Sequence, residues 1–383
     1  MGNFGNGNGG VSNSGAPAHG DSADVRSRRP HTILVLSGGG MRGFAHVGVI
    51  RAMERLGIQV DEVIGTSMGA VMGGLYATGL DSYQIEEGAQ DIMIKDYLKL
   101  NLLKFLIKGY RHASVYKGKH YREFLQETFP QKSFSEMARP FFCNALSLTT
   151  GNMRYFGLAD QGEVSVADAI YASSCLPGVY EPIEINGDYF IDGGMAETIA
   201  LKLAHARHAD LIIAVDLSGH DHHSGTPFRA TLPHIMFQTY AIMGQVLNEH
   251  NLHRFVRENV VLIKPKVGHV PILDQPDTVD VVRLGEREAL ESLTTNPLTR
   301  YLCDPAIIQE VDRSVPQSRD YVHLDVDMNA CVHCGICAVT CATNGYADVP
   351  LGQVVRKLHN YECTRDSACE RNCPTGAIRL RNL

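Results

Sequence analysis

The stretch Ile33–Gly43, which reads ILVLSGGGMRG, decides the fold that this sequence predicts. Its first four residues are apolar and mostly branched, a pattern typical of a buried β-strand. The glycines that follow let the backbone turn tightly and approach a ligand closely. The apolar residues Ala45, Val49, Met53 and Leu56 then recur at helical spacing. The stretch therefore predicts a strand, a glycine-rich turn and a helix, which together form the repeating unit of an α/β sheet.

A second unit of the same kind contains Gly65–Gly69, which reads GTSMG and fits the pattern G-x-S-x-G. The short apolar strand Val63-Ile64 precedes it, and a helix of small residues from 70 to 78 follows it. This layout is typical of a nucleophile elbow, in which a sharp turn exposes the central serine. The alternative interpretation is an ordinary strand–helix turn that is capped by a serine. The pattern makes Ser67 a candidate nucleophile.

Two other glycine-containing turns suggest partners for Ser67. The amides of Gly38–Gly40 could bind an anion, either as a phosphate cradle or as an oxyanion hole. The loop does not fit G-x-x-x-x-G-K-[ST], and the second strand does not end in the acidic residue that a dinucleotide loop requires. Beside a serine elbow, the oxyanion interpretation is favoured. Asp192-Gly193-Gly194 ends a predicted strand, so Asp192 is either an accessible carboxylate near the serine or a turn residue.

Together these elements resemble the patatin-like phospholipase family over residues 32–218. The motifs that carry the resemblance are Gly38–Gly43, Gly65–Gly69, Ala172–Gly178, Asp192–Gly194 and Ala209–Val215. The resemblance implies a three-layer α/β/α sandwich and a serine hydrolase that acts on lipid acyl esters. It also implies a catalytic dyad of Ser67 and Asp192, with an oxyanion hole formed by the loop residues Gly38, Gly39, Gly40 and Arg42.

The segment after Asp192 and the histidines both bear on this resemblance. Met195–Thr198 lacks the Asn and Pro that often follow the aspartate in the family. The chain has 17 histidines, and His205 and His208 follow Asp192 in the Ser–Asp–His order of a triad. The residues alone leave a triad open. The resemblance favours the dyad.

The last sixty residues contain seven of the ten cysteines. They form two similar runs, and in the second an aspartate takes the place of one cysteine. The runs are Cys331, Cys334, Cys337 and Cys341, and then Cys363, Asp366, Cys369 and Cys373. Thiolates at these spacings can hold cubane clusters. Structural zinc is the alternative, although zinc sites generally use two cysteine pairs.

This region resembles bacterial-type two-cluster ferredoxins over residues 321–379. The resemblance implies a small α+β ferredoxin-like domain with two iron–sulfur clusters. The first, a [4Fe–4S] cluster, would be held by Cys331, Cys334, Cys337 and Cys373. The second would be held by Cys341, Cys363 and Cys369, with Asp366 as a weaker ligand, and would be [3Fe–4S] or [4Fe–4S].

These features divide the chain into four parts. Residues 1–29 begin with a segment rich in glycine and asparagine and predict a disordered tail. Residues 30–300 form the predicted hydrolase domain. Residues 301–320, which contain Pro305 and Pro316, predict a linker. Residues 321–383 form the predicted iron–sulfur domain.

The composition predicts a cytoplasmic protein. The formal net charge of −7 argues against a nucleic-acid partner. The sequence shows no secretory signal and no long apolar run, and its many cysteines predict reduced, metal-binding thiols. Lys95–Arg111 places an apolar stripe between lysines, which indicates either peripheral contact with the inner membrane face or a core helix. For His234–Val256 we expect a core helix rather than a lid.

The sequence thus predicts a phospholipase or lysophospholipase-type acyl hydrolase that is fused to a redox-active module. The module would regulate hydrolysis or transfer electrons to a redox partner that the sequence does not identify. The alternative is an iron–sulfur electron carrier that uses the hydrolase fold as a lipid-binding platform with little turnover.

Overall fold

The computed structural model describes most of the predicted hydrolase domain and parts of the cysteine-rich region. The described residues are 29–94, 118–158, 164–218, 232–270, 272, 276–314, 322–332, 334, 370 and 372–382. The predicted membrane-contact segment Lys95–Arg111 and nearly all of the predicted tail lie outside these residues. One compact unit begins at His31.

The strands form one large mixed sheet and one small antiparallel pair. They are β1 (Thr32–Leu36), β2 (Glu62–Gly65), β3 (Phe141–Ser147), β4 (Met153–Phe156), β5 (Ile183–Ile185), β6 (Asp188–Asp192), β7 (Leu211–Val215), β8 (Val260–Ile263), β9 (Val322–Val326) and β10 (Ile378–Asn382). Within the described residues the large sheet has eight strands in the order β5-β6-β3-β2-β1-β7-β8, with β4 paired to β3. β9 and β10 form the small pair.

The helices follow the strands in the alternation that the sequence predicts. They are α1 (Phe44–Leu56), α2 (Met68–Ala77), α3 (Ser82–Ile94), α4 (Gly118–Thr128), α5 (Val166–Ser174), α6 (Leu201–Ala206), α7 (Leu232–Phe255), α8 (Thr278–Thr295), α9 (Pro297–Arg300) and α10 (Pro305–Ser314). Ser165 caps the N-terminus of α5, since its hydroxyl accepts a hydrogen bond from the Asp168 amide at 3.1 Å.

The large sheet carries a hydrophobic core on each face. Alternate side chains of β1 enter different cores, with Leu34 and Leu36 on one side and Ile33 and Val35 on the other. The first core is filled mainly from α1, α2, α4, α5 and α8, and the second from α6 and α7. This arrangement is the three-layer α/β/α sandwich that the resemblance implied. The sheet is mixed, since β4, β5 and β6 run antiparallel to their neighbours.

The register of the sheet brings the functional turns together. β1 runs parallel to β2 and β7, and Leu36 lies level with both Gly65 and Val215. The glycine-rich loop after β1 and the serine turn after β2 therefore emerge at the same edge of the sheet. This edge, at the carboxyl ends of parallel strands, is where α/β folds generally bind ligands.

The predicted linker at 301–320 is wrong in its first part, because residues 305–314 form α10. Pro305 occupies the first helical position, where its missing N–H costs nothing, and the Asp304 carboxylate accepts the Ala306 amide at 2.8 Å. Val311 is buried, and Ile307 and Ile308 pack against the main core. The folded part of the predicted hydrolase domain therefore extends through residue 314.

The expectation that His234–Val256 is a core helix is also wrong over much of its length. α7 exposes Ile235, Ile242, Met243, Val246 and Leu247 to solvent. Its buried face begins later, at Asn248 and Leu252. Polar and apolar residues are mixed around the helix rather than separated onto two faces, so the periodicity of the sequence could not indicate which face is buried. The structure does not describe the side chains of Met236 and Phe237.

No helix in the described part of the chain is long and apolar enough to span a membrane.

Two glycines allow α1 and α8 to pack with their backbones in contact. A Cβ atom at Gly285 would overlap the carbonyl oxygen of Ala45, and one at Gly48 would overlap the carbonyl oxygen of Val282. Because the neighbouring atoms belong to helical backbone, they cannot move aside without disturbing the hydrogen bonds of both helices. The contact therefore requires glycine at both positions.

We expect Gly285→Ala to lower the free energy of unfolding by about 1–3 kcal/mol, the usual cost of overpacking a core. Urea denaturation followed by circular dichroism measures this change. Gly88→Ala is the matched control, because Gly88 lies in α3 and a Cβ there would meet nothing within 4 Å. That variant should be neutral or slightly stabilised, since alanine favours helix over glycine. Equal stability of the two variants would contradict the predicted contact.

Candidate active site

Ser67 lies at a sharp turn between β2 and α2. Its backbone has φ 53° and ψ −123°, a left-handed conformation that is uncommon outside glycine. A Cβ atom at Gly65 would overlap the Gly69 carbonyl oxygen, and one at Gly69 would overlap the Leu36 carbonyl oxygen. The two glycines of the motif are therefore needed because the turn is pressed against itself and against the end of β1.

Hydrogen bonds hold the strained backbone of Ser67 in place. Its amide donates to the Ser173 hydroxyl at 2.9 Å, and its carbonyl accepts the Ala70 amide at 2.9 Å in the first turn of α2. A non-glycine residue in such a conformation costs about 1–3 kcal/mol, which the surrounding structure must offset. In this conformation the serine hydroxyl reaches Asp192 at the end of β6.

The Ser67 hydroxyl donates a hydrogen bond to Asp192 Oδ2 at 2.6 Å. The second carboxylate oxygen, Oδ1, accepts the amide of Gly194 at 2.7 Å. Asp192 is the last residue of β6, and its register opposite Ala145 of β3 fixes its position in the sheet. The structure thus brings together the two residues that the sequence proposed as a dyad, although they lie 125 positions apart.

Burial makes Asp192 a stronger base than an ordinary aspartate. Its side chain is almost entirely enclosed, and burial raises the pKa of its carboxyl to about 6. The hydrogen bonds from Ser67 and Gly194 act in the opposite direction but only in part. A carboxylate with this pKa is largely ionised at neutral pH and can accept a proton better than one with a pKa near 4.

The glycine-rich loop lies beside Ser67, but its three amides are not equivalent. A Cβ atom at Gly38 would lie 3.3 Å from the Ser67 Cβ atom. The Gly38 amide already donates to the Thr198 carbonyl at 2.9 Å, so the expectation that it serves as an oxyanion donor requires correction. The amides of Gly39 and Gly40 have no hydrogen-bond partner within the described part of the chain. The role of these two amides as donors stays a prediction.

Arg42 lies next to the glycine-rich loop and donates hydrogen bonds to three backbone carbonyls. Its Nε atom donates to the Val270 carbonyl at 2.8 Å, and its Nη2 atom donates to the Gly268 carbonyl at 2.8 Å. Its Nη1 atom reaches the Leu217 carbonyl at 3.3 Å. Burial lowers the pKa of the guanidinium to about 10, which still leaves it charged at neutral pH. These contacts indicate that Arg42 positions the loop rather than contacting a reacting carbonyl.

The histidines considered for a triad have other partners. His205 Nε2 lies 2.7 Å from the carbonyl oxygen of Phe255. His208 ends the turn after α6, and its amide donates to the His205 carbonyl. His46 is buried beneath the loop, with Nε2 2.8 Å from the Ser37 carbonyl oxygen, and burial lowers its pKa to about 4. In the described residues, the hydrogen bonds to the Asp192 carboxylate come from Ser67 and Gly194.

Sequence reasoning missed several residues that shape the site. Ser173, Thr198, Tyr155 and Glu197 act through contacts with residues distant in sequence. Ser173 lies inside one of the motifs that carried the family resemblance, so its position could have been noted. No local pattern marks Tyr155, because its relation to Glu197 depends on how β4 pairs with β3.

The cysteine-rich region is described only in part. Cys331, Cys334 and Cys373 are described, whereas Cys337, Cys341, Cys363, Cys369 and Asp366 lie outside the described residues. The Cys373 sulfur accepts the amide of Ala377 at 3.2 Å. Cys143, Cys175 and Cys303 are buried in the predicted hydrolase domain, and burial raises the pKa of all three.

Residues 34–205 match the family model described as patatin-like phospholipase. An uncharacterized NTE family protein of Mycobacterium tuberculosis is 30% identical over 193 residues, which cover 50% of this chain and 51% of that protein. Lysophospholipase nte1 of Neurospora crassa is 30% identical over 200 residues, which cover 52% of this chain and 13% of that protein. The matched segment therefore spans about half of the mycobacterial relative and a small part of the fungal one.

Among solved structures, the chain resembles VipD from Legionella pneumophila. The TM-score is 0.41 and the identity is 14%, over 69% of this chain and 67% of that chain. The matched segment 34–205 contains the glycine-rich loop, Ser67 and Asp192. The family match and these three motifs all fall within residues 34–205, the segment of this chain that is similar to patatin-like phospholipases.

Proposed function

We propose that this protein is a lipid acyl hydrolase that uses Ser67 and Asp192 as a catalytic dyad. The observation that carries the proposal is the 2.6 Å hydrogen bond from the Ser67 hydroxyl to a buried carboxylate with a raised pKa. Two amides without partners in the described part of the chain, those of Gly39 and Gly40, accompany this pair at the same edge of the sheet. The matched patatin-like domain supports the assignment to lipid ester chemistry.

The first half of the reaction follows from this geometry. The Ser67 oxygen attacks the acyl carbonyl, and Asp192 takes the hydroxyl proton as the C–O bond forms. Amides of the glycine-rich loop would stabilise the negative charge on the former carbonyl oxygen, with each donor contributing about 3 kcal/mol. Asp192 then returns the proton to the leaving alcohol, and the acyl group remains on Ser67.

The second half regenerates the serine. A water molecule attacks the acyl-serine ester, and Asp192 accepts its proton. Collapse of the tetrahedral species releases the fatty acid and restores the Ser67 hydroxyl with the proton held by Asp192. Phospholipids and lysophospholipids are the substrate class that we propose, since two of the relatives above bear NTE family or lysophospholipase names.

We expect Ser67→Ala and Asp192→Asn to abolish hydrolysis of a lysophospholipid, because each removes one partner of the proton transfer. His205→Ala should keep activity within about twofold, since its ring bonds to a backbone carbonyl away from the dyad. Fatty-acid release measures the rates, and circular dichroism checks folding. A folded His205→Ala protein without activity would overturn the dyad in favour of a triad.

We expect the rate of hydrolysis to rise with pH through a midpoint of about 6 and then to level off. The sign follows from the role of Asp192: the pKa of its carboxyl is raised to about 6, and only the ionised form accepts the serine proton. The kcat/KM value for a soluble short-chain ester between pH 4.5 and 8 measures this dependence. A flat profile across pH 6 would contradict Asp192 as the base.

We further propose that residues 321–383 hold two iron–sulfur clusters. The donor set supports this proposal, because the cysteine spacing suits thiolate ligation and a backbone amide already points at the Cys373 sulfur. Amide-to-sulfur hydrogen bonds tune cluster potentials. Cys331, Cys334, Cys337 and Cys373 would hold the first cluster, which when bound would supply one-electron transfer.

The ligands proposed for the second cluster are Cys341, Cys363 and Cys369, with Asp366. We propose that the redox state of the module regulates hydrolysis. Because the cysteine-rich region resembles an electron carrier, the alternative function is electron transfer with the patatin-like domain as a lipid platform.

Protein purified without oxygen should contain about seven or eight iron atoms per chain, with matching acid-labile sulfide. Cys331→Ser should lose about half of this iron, because it removes a first-cluster thiolate. Cys303→Ser is the control and should keep the iron, since Cys303 is a buried thiol of the hydrolase domain. Elemental analysis and electron paramagnetic resonance measure both. Zinc in place of iron would overturn the cluster assignment.

The same preparation tests regulation when hydrolysis is measured with the module oxidised and then reduced, with Ser67→Ala as the blank. A Ser67-dependent rate that changes between the two states supports redox regulation. Equal rates would contradict it. A rate no higher than the blank in both states would favour the electron-carrier alternative.

A further inference from the structure

Two neighbouring residues on β3 and β4 hold the same residue of the segment that follows Asp192. Asn144 and Tyr155 are cross-strand partners. The Asn144 side-chain amide donates to the Glu197 carbonyl oxygen at 3.1 Å, and the Tyr155 hydroxyl donates to Glu197 Oε2 at 2.5 Å. The strand pair β3–β4 therefore donates hydrogen bonds to both the backbone and the side chain of Glu197.

The environment of the Glu197 side chain is unusual for a carboxylate. Glu197 is buried, and burial raises the pKa of its carboxyl. Burial beside Glu197 also raises the pKa of the Tyr155 hydroxyl. A hydrogen bond between a hydroxyl and a carboxylate is among the stronger kinds, and it strengthens further where water is excluded. The pair therefore restrains Glu197 more firmly than an exposed contact would.

The segment Gly193–Thr198, which we call the strap, contacts both parts of the candidate site. At its start, the Gly194 amide donates to Asp192 Oδ1 at 2.7 Å. At its end, the Thr198 carbonyl accepts the Gly38 amide at 2.9 Å. The Thr198 hydroxyl also donates to the Gly194 carbonyl at 3.2 Å, which ties the two ends together. A displacement of the strap would therefore move the carboxylate and the glycine-rich loop together.

Steric contact leaves the strap little freedom on its other side. A Cβ atom at Gly193 would lie 2.5 Å from the Asn144 carbonyl oxygen and 2.7 Å from its Oδ1 atom. The strap is thus pressed against β3, and the Glu197 contacts fix its far end. The position of the strap in this chain therefore depends on the contacts that Asn144 and Tyr155 make with Glu197.

We propose that Tyr155 and Glu197 are positioning residues that hold the strap, and through it align Asp192 with the amides of the glycine-rich loop. Neither residue touches the reacting atoms. The inference rests on the proposed hydrolase function and adds two residues to the machinery of that site. Because the pair acts through alignment, its loss lowers the rate of the chemical steps while substrate binding persists.

Tyr155→Phe should lower kcat for a soluble short-chain ester about tenfold and leave KM within about twofold, since small displacements of catalytic groups reduce rates strongly. The matched control is Tyr189→Phe. The Tyr189 hydroxyl also donates to a glutamate, Glu184, at 3.0 Å, but on the exposed surface of the same sheet. The control should retain the wild-type kcat.

Substitutions at Glu197 test whether the contact with Tyr155 needs a negative charge or only an oxygen that accepts a hydrogen bond. Glu197→Gln keeps an oxygen that can accept the Tyr155 hydroxyl and should stay within about threefold of wild-type kcat. Glu197→Ala should lose as much as Tyr155→Phe. The double variant Tyr155→Phe/Glu197→Ala should be no worse than either single variant, because both remove the same contact.

Titration of Ser67 with a fluorophosphonate counts the competent molecules in each preparation, so that kcat refers to folded enzyme. The proposal is overturned if Tyr155→Phe matches Tyr189→Phe in kcat. It is also overturned if the loss disappears once rates are divided by the titrated sites, since that result indicates a role in folding alone. A wild-type protein without Ser67-dependent turnover would instead refute the proposed hydrolase function, and this inference would fall with it.

Discussion

Asp192 carries a carboxylate that is almost entirely buried, and the neighbouring residues are arranged around that constraint. With its pKa raised to about 6, the ionised group lowers the free energy of unfolding by about 3 kcal/mol relative to an exposed aspartate. This cost is absent below about pH 4, where the carboxyl is protonated in both the folded and the unfolded chain, and it reaches its full size above pH 6. This figure already includes the hydrogen bonds from the Ser67 hydroxyl and the Gly194 amide, which offset part of the cost of burial. The same burial makes the carboxylate basic enough to accept a proton, so the loss of stability is inseparable from the proposed chemistry.

The other half of the site depends on close backbone packing. The serine turn can adopt its left-handed conformation only because Gly65 and Gly69 allow it to lie against the end of β1. The parallel register of β1 and β2 then sets the glycine-rich loop beside Ser67. The strap Gly193–Thr198 completes the arrangement, since it reaches Asp192 at one end and the loop at the other. Groups from three separate parts of the chain are thus connected by short, directional contacts.

Local patterns were enough to predict the elements that carry the site. The apolar strand before the glycines and the elbow at Ser67 each depend on neighbouring residues, and the structure contains both. The sequence predictions failed where contacts between residues distant in sequence determine the local structure. Pro305 signals a break by itself, yet it begins α10 because Asp304 caps the helix and the main core receives its apolar face. The Gly38 amide looked available until the fold placed the Thr198 carbonyl next to it.

The position of β1 within the sheet limits how far the protein can be shortened. The family match stops at residue 205, but β1 is hydrogen-bonded along its whole length to β7, which begins at Leu211. The α1 helix likewise rests its Gly48 on the backbone of the helix Thr278–Thr295. A recombinant fragment trimmed to the matched boundaries would carry an open sheet edge and a bare apolar helix face, both of which promote aggregation. The smallest piece expected to stay in solution is therefore one that continues through Ser314.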